Sequence, residues 1–342
     1  MGFNQFVGPN ESDILQMTSA GLYCPAGGFH IDPSKKVHLA VTTHAHSDHA
    51  RRGMGGYICA SSGEPLLRQR VGKQAEIQAL EFGQGLRLGG VGITLHPAGH
   101  ILGSAQVRLE LKGRVTVVTG DYNATHAHAA AEPWEPLECD FLVTESTFGL
   151  PVYQWPDPAL VMDDIHHWWR FNQSRGRTSI LPCYPLGKTQ RILSSLDPGQ
   201  GPIGVAGPAR AFLPHYRAAG VSLPEVHELD ESGMAALKGR GLLLISFSGE
   251  EPPALRALRP LSYAAVSGWL QIRSARRGRD VDRGFVLSDH SDWNGILRCI
   301  RCSKARRVAV THGQTEVLAR YLRETMGIDS FPLGHYPDNA SD

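Results

Sequence analysis

His44-Ala45-His46-Ser47-Asp48-His49 packs four metal-ligating side chains into six residues. It directly follows 37–43 (VHLAVTT), a short apolar, β-branched run that reads as a buried strand. In extended backbone, side chains two apart point the same way, so His44 and His46 can share one metal. Asp48 and His49 come on the next turn and can face a second. Imidazole and carboxylate donors suit zinc, and manganese also fits. The bland alternative is a chance histidine-rich loop, or a helix capped by Asp48. It loses weight because more candidate ligands follow in order: His100 in Pro97-Ala98-Gly99-His100, Asp121 in Thr119-Gly120-Asp121-Tyr122, and His312 in Thr311-His312-Gly313. Each would be weak alone, since a lone buried histidine is usually a satisfied core residue. Together they complete two sites.

The surrounding pattern is α/β. Strands are expected at 92–95, 105–111, 114–118 and 141–144, with Asp121 and Glu145 at or just beyond strand ends, where α/β folds keep their chemistry. The middle of the chain changes character. A helix is expected over 158–175, carrying Trp168 and Trp169, then a strand at 179–183, a helix from 187, and strands at 241–247 and 261–267. This alternation suggests parallel βα units. The last part returns to the first pattern, with a helix at 294–302, a strand at 307–311 and a helix at 315–326.

Bulk properties set limits. A length of 342 residues suggests one large domain or two coupled ones, and 42% hydrophobic residues suffice for a full core. No apolar run of 18 or more residues occurs, so no membrane span is expected. Residues 1–17 lack a basic n-region and an apolar h-region, so no signal peptide is expected and a cytoplasmic location follows. A net charge of +1 excludes a strongly basic coat but not a local basic patch. Cys299 and Cys302 form a lone C-x-x-C; a zinc ribbon would need a second pair, so the six cysteines read as ordinary ones.

The order and spacing of these ligands resemble the metallo-β-lactamase superfamily, whose pattern is H-x-H-x-D-H followed by His, Asp and His. The resemblance implies that His44, His46 and His100 bind one metal, that Asp48, His49 and His312 bind the other, and that Asp121 bridges them. Two such metals can activate a shared hydroxide and stabilise both the attacking and leaving oxygens. The fold implied is an αββα sandwich.

Fold alone does not choose an activity. Glu145 in Val143-Thr144-Glu145-Ser146-Thr147-Phe148-Gly149 resembles the acidic motif that opens the β-CASP region, and His290 in Leu287-Ser288-Asp289-His290-Ser291-Asp292 resembles the β-CASP histidine motif. By this resemblance 1–149 and 286–342 form the metallo-β-lactamase domain and 150–285 an inserted α/β β-CASP domain. Asp48, Asp121, Glu145 and His290 would be catalytic, with His290, oriented by Glu145, protonating the leaving 3′-oxygen. Products would carry 5′-phosphate and 3′-hydroxyl ends.

Pro185-Leu186-Gly187-Lys188-Thr189-Gln190 resembles the Gly-Lys/Arg segment of the inserted domain, and Ser267-Gly268-Trp269 resembles the Thr-Gly-Trp segment of the DNA cross-link repair nucleases and Artemis. The opening run Gly21-Leu22-Tyr23-Cys24-Pro25-Ala26-Gly27-Gly28 resembles the bacterial ligase-associated DNA exonucleases. The expectation is therefore a metal-dependent DNA exonuclease in repair or end processing, with a DNA ligase and a helicase as possible associates. His312 departs from this pattern, because many DNA-specific members carry Val there while RNA-type members carry His. An RNA-processing nuclease stays open, as does a small-molecule metallohydrolase of the same fold. For substrate grip the candidates are Lys188, Ser267, Gly268, Arg273, Arg276 and Arg277, the arginines offering planar forks for phosphate. Arg51 and Arg52 follow the metal motif and are similar. A solvated loop is the alternative for these charges. His166 and His167 are adjacent on a helix and make a poor chelating pair. His126 and His128 could mimic a ligand pair, but the metal positions are already filled.

Overall fold

The computed structural model describes residues 14–246, 253–272 and 281–334. The first sheet runs in sequence order through β1 (Gln16–Thr18), β2 (Gly21–Cys24), β3 (Phe29–Ile31), β4 (Leu39–Val41), β5 (Gly56–Ala60) and β6 (Ile77–Leu80), with α1 (Glu64–Val71) between the last two. Pairing is antiparallel up to β3 and parallel from there to β6. A second sheet begins with β7 (Leu86–Leu88), β8 (Val91–Pro97), β9 (Ala105–Leu111), β10 (Arg114–Val118) and β11 (Phe141–Glu145).

The chain then leaves for a third sheet. Its elements are α2 (Pro158–Ser174), β12 (Thr178–Pro182), α3 (Lys188–Leu193), β13 (Ile203–Ala206), α4 (Leu213–Ala218), α5 (Glu231–Leu237), β14 (Leu242–Ile245), β15 (Leu261–Val266) and β16 (Arg283–Phe285). The order is β13-β14-β12-β15-β16, and every pairing is parallel. Parallel strands covered on both faces read as unbroken apolar runs, and β14, Leu242-Leu243-Leu244-Ile245, is the clearest case. Leu242 and Leu244 pack with Ile165 and Trp169 of α2, while Leu243 and Ile245 face the opposite layer with Leu237, Leu255 and Leu258. The helix expected from 187 to 196 is shorter, because it starts after Gly187 and is capped at Ser194.

After β16 the chain returns through α6 (Trp293–Ser303), β17 (Arg307–Thr311), α7 (Thr315–Met326) and β18 (Asp329–Pro332). β17 inserts beside β11, completing the second sheet in the order β18-β17-β11-β10-β9-β8-β7. The first and second sheets share one core, in which Phe29, Ile31, Val41 and Ile58 meet Ile93, Leu95, Val107 and Val143. On the outer face of the first sheet Tyr57 and Cys59 pack on Leu66 and Leu67 of α1. On the outer face of the second, Val117, Leu142, Val308 and Val310 pack on Ile296 and Ile300 of α6 and Leu318 and Leu322 of α7. The chain is thus a mixed α/β structure, with helices outside two facing sheets and a third, parallel sheet beside them. All six cysteines are free. Among the described residues no helix is long and apolar enough to cross a membrane.

Candidate metal centre

The loops that leave β4, β8, β10, β11, β16 and β17 converge, and each brings one or more of the expected residues. Among the described residues, three groups of donor atoms lie close enough to share an ion: His44, His46, His100 and Asp121; His49, Asp121 and His312; and Asp121, Glu145 and His290. Asp121 belongs to all three. Its Oδ2 faces His44 Nε2 at 3.5 Å and His100 Nε2 at 3.8 Å, while its Oδ1 faces His49 Nε2 at 3.4 Å. One carboxylate oxygen thus points to each half of the centre. Asp48 stands beside the second group, with a carboxylate oxygen 3.7 Å from His49 Nε2.

The outer nitrogen of each ring fixes its tautomer, because a carbonyl or carboxylate can only accept. His46 donates from Nε2 to the Leu186 carbonyl at 2.9 Å, and His100 donates from Nδ1 to the Asp289 carbonyl at 3.0 Å. His49 donates from Nδ1 to Asp32 Oδ2 at 2.7 Å. Thr43 spends its single hydroxyl hydrogen on Asp32 Oδ2, so toward His44 Nδ1, 3.1 Å away, its oxygen accepts. The inward nitrogens of His44, His46 and His100 are left as lone pairs. Such outward partners are what orient imidazoles for a metal.

Three observations fit a cation. His46 Nδ1 and His100 Nε2 lie 3.2 Å apart; with both tautomers fixed by carbonyls, two lone pairs face each other and need a positive centre between them. His44 Nε2, His49 Nε2 and Asp48 Oδ1 are buried without a hydrogen-bond partner. Burial and neighbouring histidines hold His44 and His46 well below the usual imidazole range, and burial with His290 lowers His100, so these rings are neutral ligands. Burial also opposes a proton on His49, but Asp121 and Asp32 overcome it and raise that ring well above its ordinary value. Burial opposes the charge of Asp121 too, yet His49 and His290 hold its carboxyl well below the carboxylate range. The field that draws a proton onto His49 would draw a divalent cation as well.

Glu145 and His290 form a separate pair. His290 donates from Nδ1 to Glu145 Oε1 at 2.8 Å, leaving Nε2 toward Asp121 at 4.0 Å. Glu145 is held in turn by the Tyr122 and Thr147 amides and the Thr147 hydroxyl. The motif around His290 ends by building a helix, since Asp292 caps α6 by accepting from the Gly295 amide. His312 takes a left-handed backbone, φ 53°, and Gly313 follows at φ 66°. A Cβ on Gly313 would sit 2.4 Å from the Ser146 carbonyl, so Thr311-His312-Gly313 is a tight turn around the 145–147 segment.

The substrate candidates have different fates. Lys188 is buried, and its ammonium turns inward to the Leu287 carbonyl at 3.3 Å and to Asp289 at 3.8 Å. Ser267 is buried and accepts from the Trp269 amide. Gly268 lets Phe148, Trp155 and Ser288 close in, each within 3 Å of where a Cβ would stand. Trp269 joins Phe148 and Tyr153 in an aromatic cluster. Arg273, Arg276 and Arg277 lie outside the described residues. His166 and His167 sit on α2, and none of the donor groups contains them. The reading of the sequence missed Asp32, Thr43 and the two supporting carbonyls. Asp32 directly follows β3, beside the strand that leads into the metal motif, and an acid just past a strand end was the one available signal. Backbone carbonyls leave no mark in a sequence.

No family model matches the chain. It is 30% identical over 318 residues to the "Probable DNA ligase" of Opitutus terrae, covering 92% of this chain and 31% of that one. It is 30% identical over 191 residues to Ribonuclease TTHA0252 of Thermus thermophilus, covering 48% and 44%. It is 33% identical over 129 residues to Endoribonuclease YSH1 of Candida albicans, covering 35% and 14%. The chain therefore spans under half the length of each of these relatives. A protein of unknown function from Enterococcus faecalis V583 shares the fold, with a TM-score of 0.59 at 14% identity over 86% of this chain and 78% of that one. With the ligand order and the Glu145–His290 pair already in place, these relatives fix the family: the chain belongs to the β-CASP branch of the metallo-β-lactamase superfamily.

Proposed function

We propose that the protein is a metal-dependent nuclease that hydrolyses phosphodiester bonds of DNA as an exonuclease in repair or end processing. The observation that carries this reading is the second, non-ligand pair. A small-molecule hydrolase needs only the metal ligands, whereas here His290, locked by Glu145, is aimed at the bridging carboxylate. The match to a DNA-ligase-named relative along 92% of the chain supports the DNA substrate and motivates a ligase or helicase associate. We take the two facing sheets as the αββα sandwich and 150–285 as the inserted β-CASP domain.

His44, His46, His100 and Asp121 would hold one divalent cation, and His49, His312, Asp121 and the adjacent Asp48 the other, with zinc favoured by the imidazole-rich set and manganese as the alternative. When bound, the pair supplies an activated water and stabilises charge on the phosphoryl oxygens. The chain's own work is orientation and proton transfer. The carbonyls of Leu186 and Asp289, the Asp32 carboxylate and the Thr43 hydroxyl fix four rings, and His290 delivers a proton to the leaving 3′-oxygen, giving 5′-phosphate and 3′-hydroxyl ends. A cytoplasmic location suits such a substrate.

An RNA substrate is the second reading, favoured by His312 and by two relatives named as ribonucleases. Incubation with end-labelled single-stranded DNA and RNA of one sequence, with zinc or manganese, separates the two. Stepwise shortening of DNA supports the first reading, faster cutting of RNA the second. Cutting of neither by a metal-loaded chain leaves a small-molecule hydrolase.

A further inference from the structure

We propose that a cavity of about 560 Å³ at the carboxyl ends of β12, β14 and β15 is a nucleobase subsite serving the metal centre. The inference rests on the nuclease reading and adds what the inserted sheet contributes to it. In an open parallel sheet, ligands bind outside the carboxyl ends of the strands. The cavity lies there, bounded by Pro182 at the end of β12, Ile245 at the end of β14, Val266 at the end of β15, and Pro208 just beyond β13. Its volume falls within the ~300–1,000 Å³ usual for small-molecule sites.

The chemistry of the walls selects a base over a phosphate. Among the described residues, prolines and aliphatic side chains dominate, Tyr184 offers a ring, and no carboxylate lines the space. Lys188, the cation among the described lining residues, is already turned to Asp289 and the Leu287 carbonyl. Beside the Tyr184 hydroxyl, two serines provide polarity. Ser246 donates to the Cys183 carbonyl and keeps lone pairs to accept with, while Ser267 accepts from the Trp269 amide and keeps its hydrogen to donate. An apolar slot with a ring and a few adaptable hydroxyls takes any base without choosing among them.

The cavity adjoins the metal centre through one loop. Tyr184, in its wall, meets the His46 ring edge-on at 5.0 Å, and two residues later the Leu186 carbonyl holds His46 Nε2. Gly187 permits this approach, since a Cβ there would meet Ile101 Cγ2 at 2.4 Å. A base seated in the cavity therefore presses on the loop that supports a metal-facing ring.

Calorimetric titration of the purified, metal-loaded chain with AMP and with ribose 5-phosphate tests the assignment, because the two probes share the phosphate and differ in the base. We expect AMP to bind at least tenfold more tightly, and Ala265→Leu, which fills the cavity, to erase the difference without weakening ribose 5-phosphate. Equal affinities, or an AMP preference that survives Ala265→Leu, would overturn the proposal. Should that variant not fold, photolabelling of the wild type with 8-azido-AMP answers the same question. Label on peptides carrying Tyr184, Pro208 or Val266 supports the subsite, and label elsewhere overturns it. Failure of the nuclease reading shows separately, as absence of oligonucleotide cleavage.

Discussion

Replacing Asp289 with Asn should cost the fold about 3–5 kcal/mol, the usual result of breaking a buried ion pair from one side. Asp289 is 4% exposed and meets two cations that are equally buried: Arg191 at 3.0 Å, itself 4% exposed, and Lys188 at 3.8 Å, 1% exposed. One carboxylate thus serves two ammonium-type charges. The amide would remove the counter-charge that stands 3.0 Å from Arg191 and 3.8 Å from Lys188, far from water. Burial works against ionising Asp289, yet Lys188 and Arg191 hold its carboxyl well below the usual range. The sign follows from linkage: a depressed carboxylate contributes stability above the unfolded value of about 3.9, and loses it as pH falls through the folded value. Wild type should therefore shed this contribution in acid, and Asp289→Asn should lack it at every pH. Urea unfolding midpoints at pH 7 and at about pH 2.5, inside the window of loss, measure both effects. An exposed pair sets the scale. Glu324→Gln, which breaks the 2.9 Å contact with Arg320 on the surface of α7, should change stability by less than about 1 kcal/mol. If Asp289→Asn moved the pH 7 midpoint no more than Glu324→Gln, the buried triad would not be holding α3 against the His290 motif.

Asp32→Asn should weaken divalent metal binding about 10- to 100-fold by loosening His49 and Thr43, as read by competition with a zinc chelator; unchanged affinity would remove Asp32 from the site. Glu145→Gln should leave metal content at wild-type level while cleavage falls by about 10²-fold or more, and lost metal would instead make Glu145 a ligand. Gly187→Ala should destabilise by about 1–3 kcal/mol, because a Cβ there collides with Ile101 at a φ of 98°; a neutral outcome in thermal unfolding would mean that the loop moves freely. Burial, with Arg191 nearby, pushes the His128 imidazole down to about 3. The unfolded chain takes up that proton near ~6.5, so stability is full above that pH and lost as pH falls toward about 3. His128→Phe should flatten this part of the stability-against-pH slope, and an unchanged slope would contradict the assignment.

The metal motif was legible because its spacing is local: a strand, then alternate side chains, then a turn. Arg114–Val118 and Arg307–Thr311 were legible as short valine-rich runs, and Thr315–Met326 as a helical stretch, each from local sequence alone. The supports of the site were not. Leu186 and Asp289 act through carbonyls that every residue has, and their partners His46 and His100 lie 140 and 189 residues away in sequence. Lys188 shows the converse. Its position at a helix start, just after Gly187, suggested a phosphate, but the fold brings Asp289 to its ammonium, which neighbours in sequence do not reveal. Gly187 and Gly313 were visible as glycines. What required them, Ile101 in one case and the Ser146 carbonyl in the other, is visible only in three dimensions.

The most direct test of a two-metal centre is anomalous diffraction at the zinc edge from crystals grown with zinc. We expect two peaks flanking Asp121, one among His44 Nε2, His46 Nδ1 and His100 Nε2, the other against His49 Nε2 and His312. A single peak, or peaks away from Asp121, would contradict the dinuclear centre and the chemistry built on it.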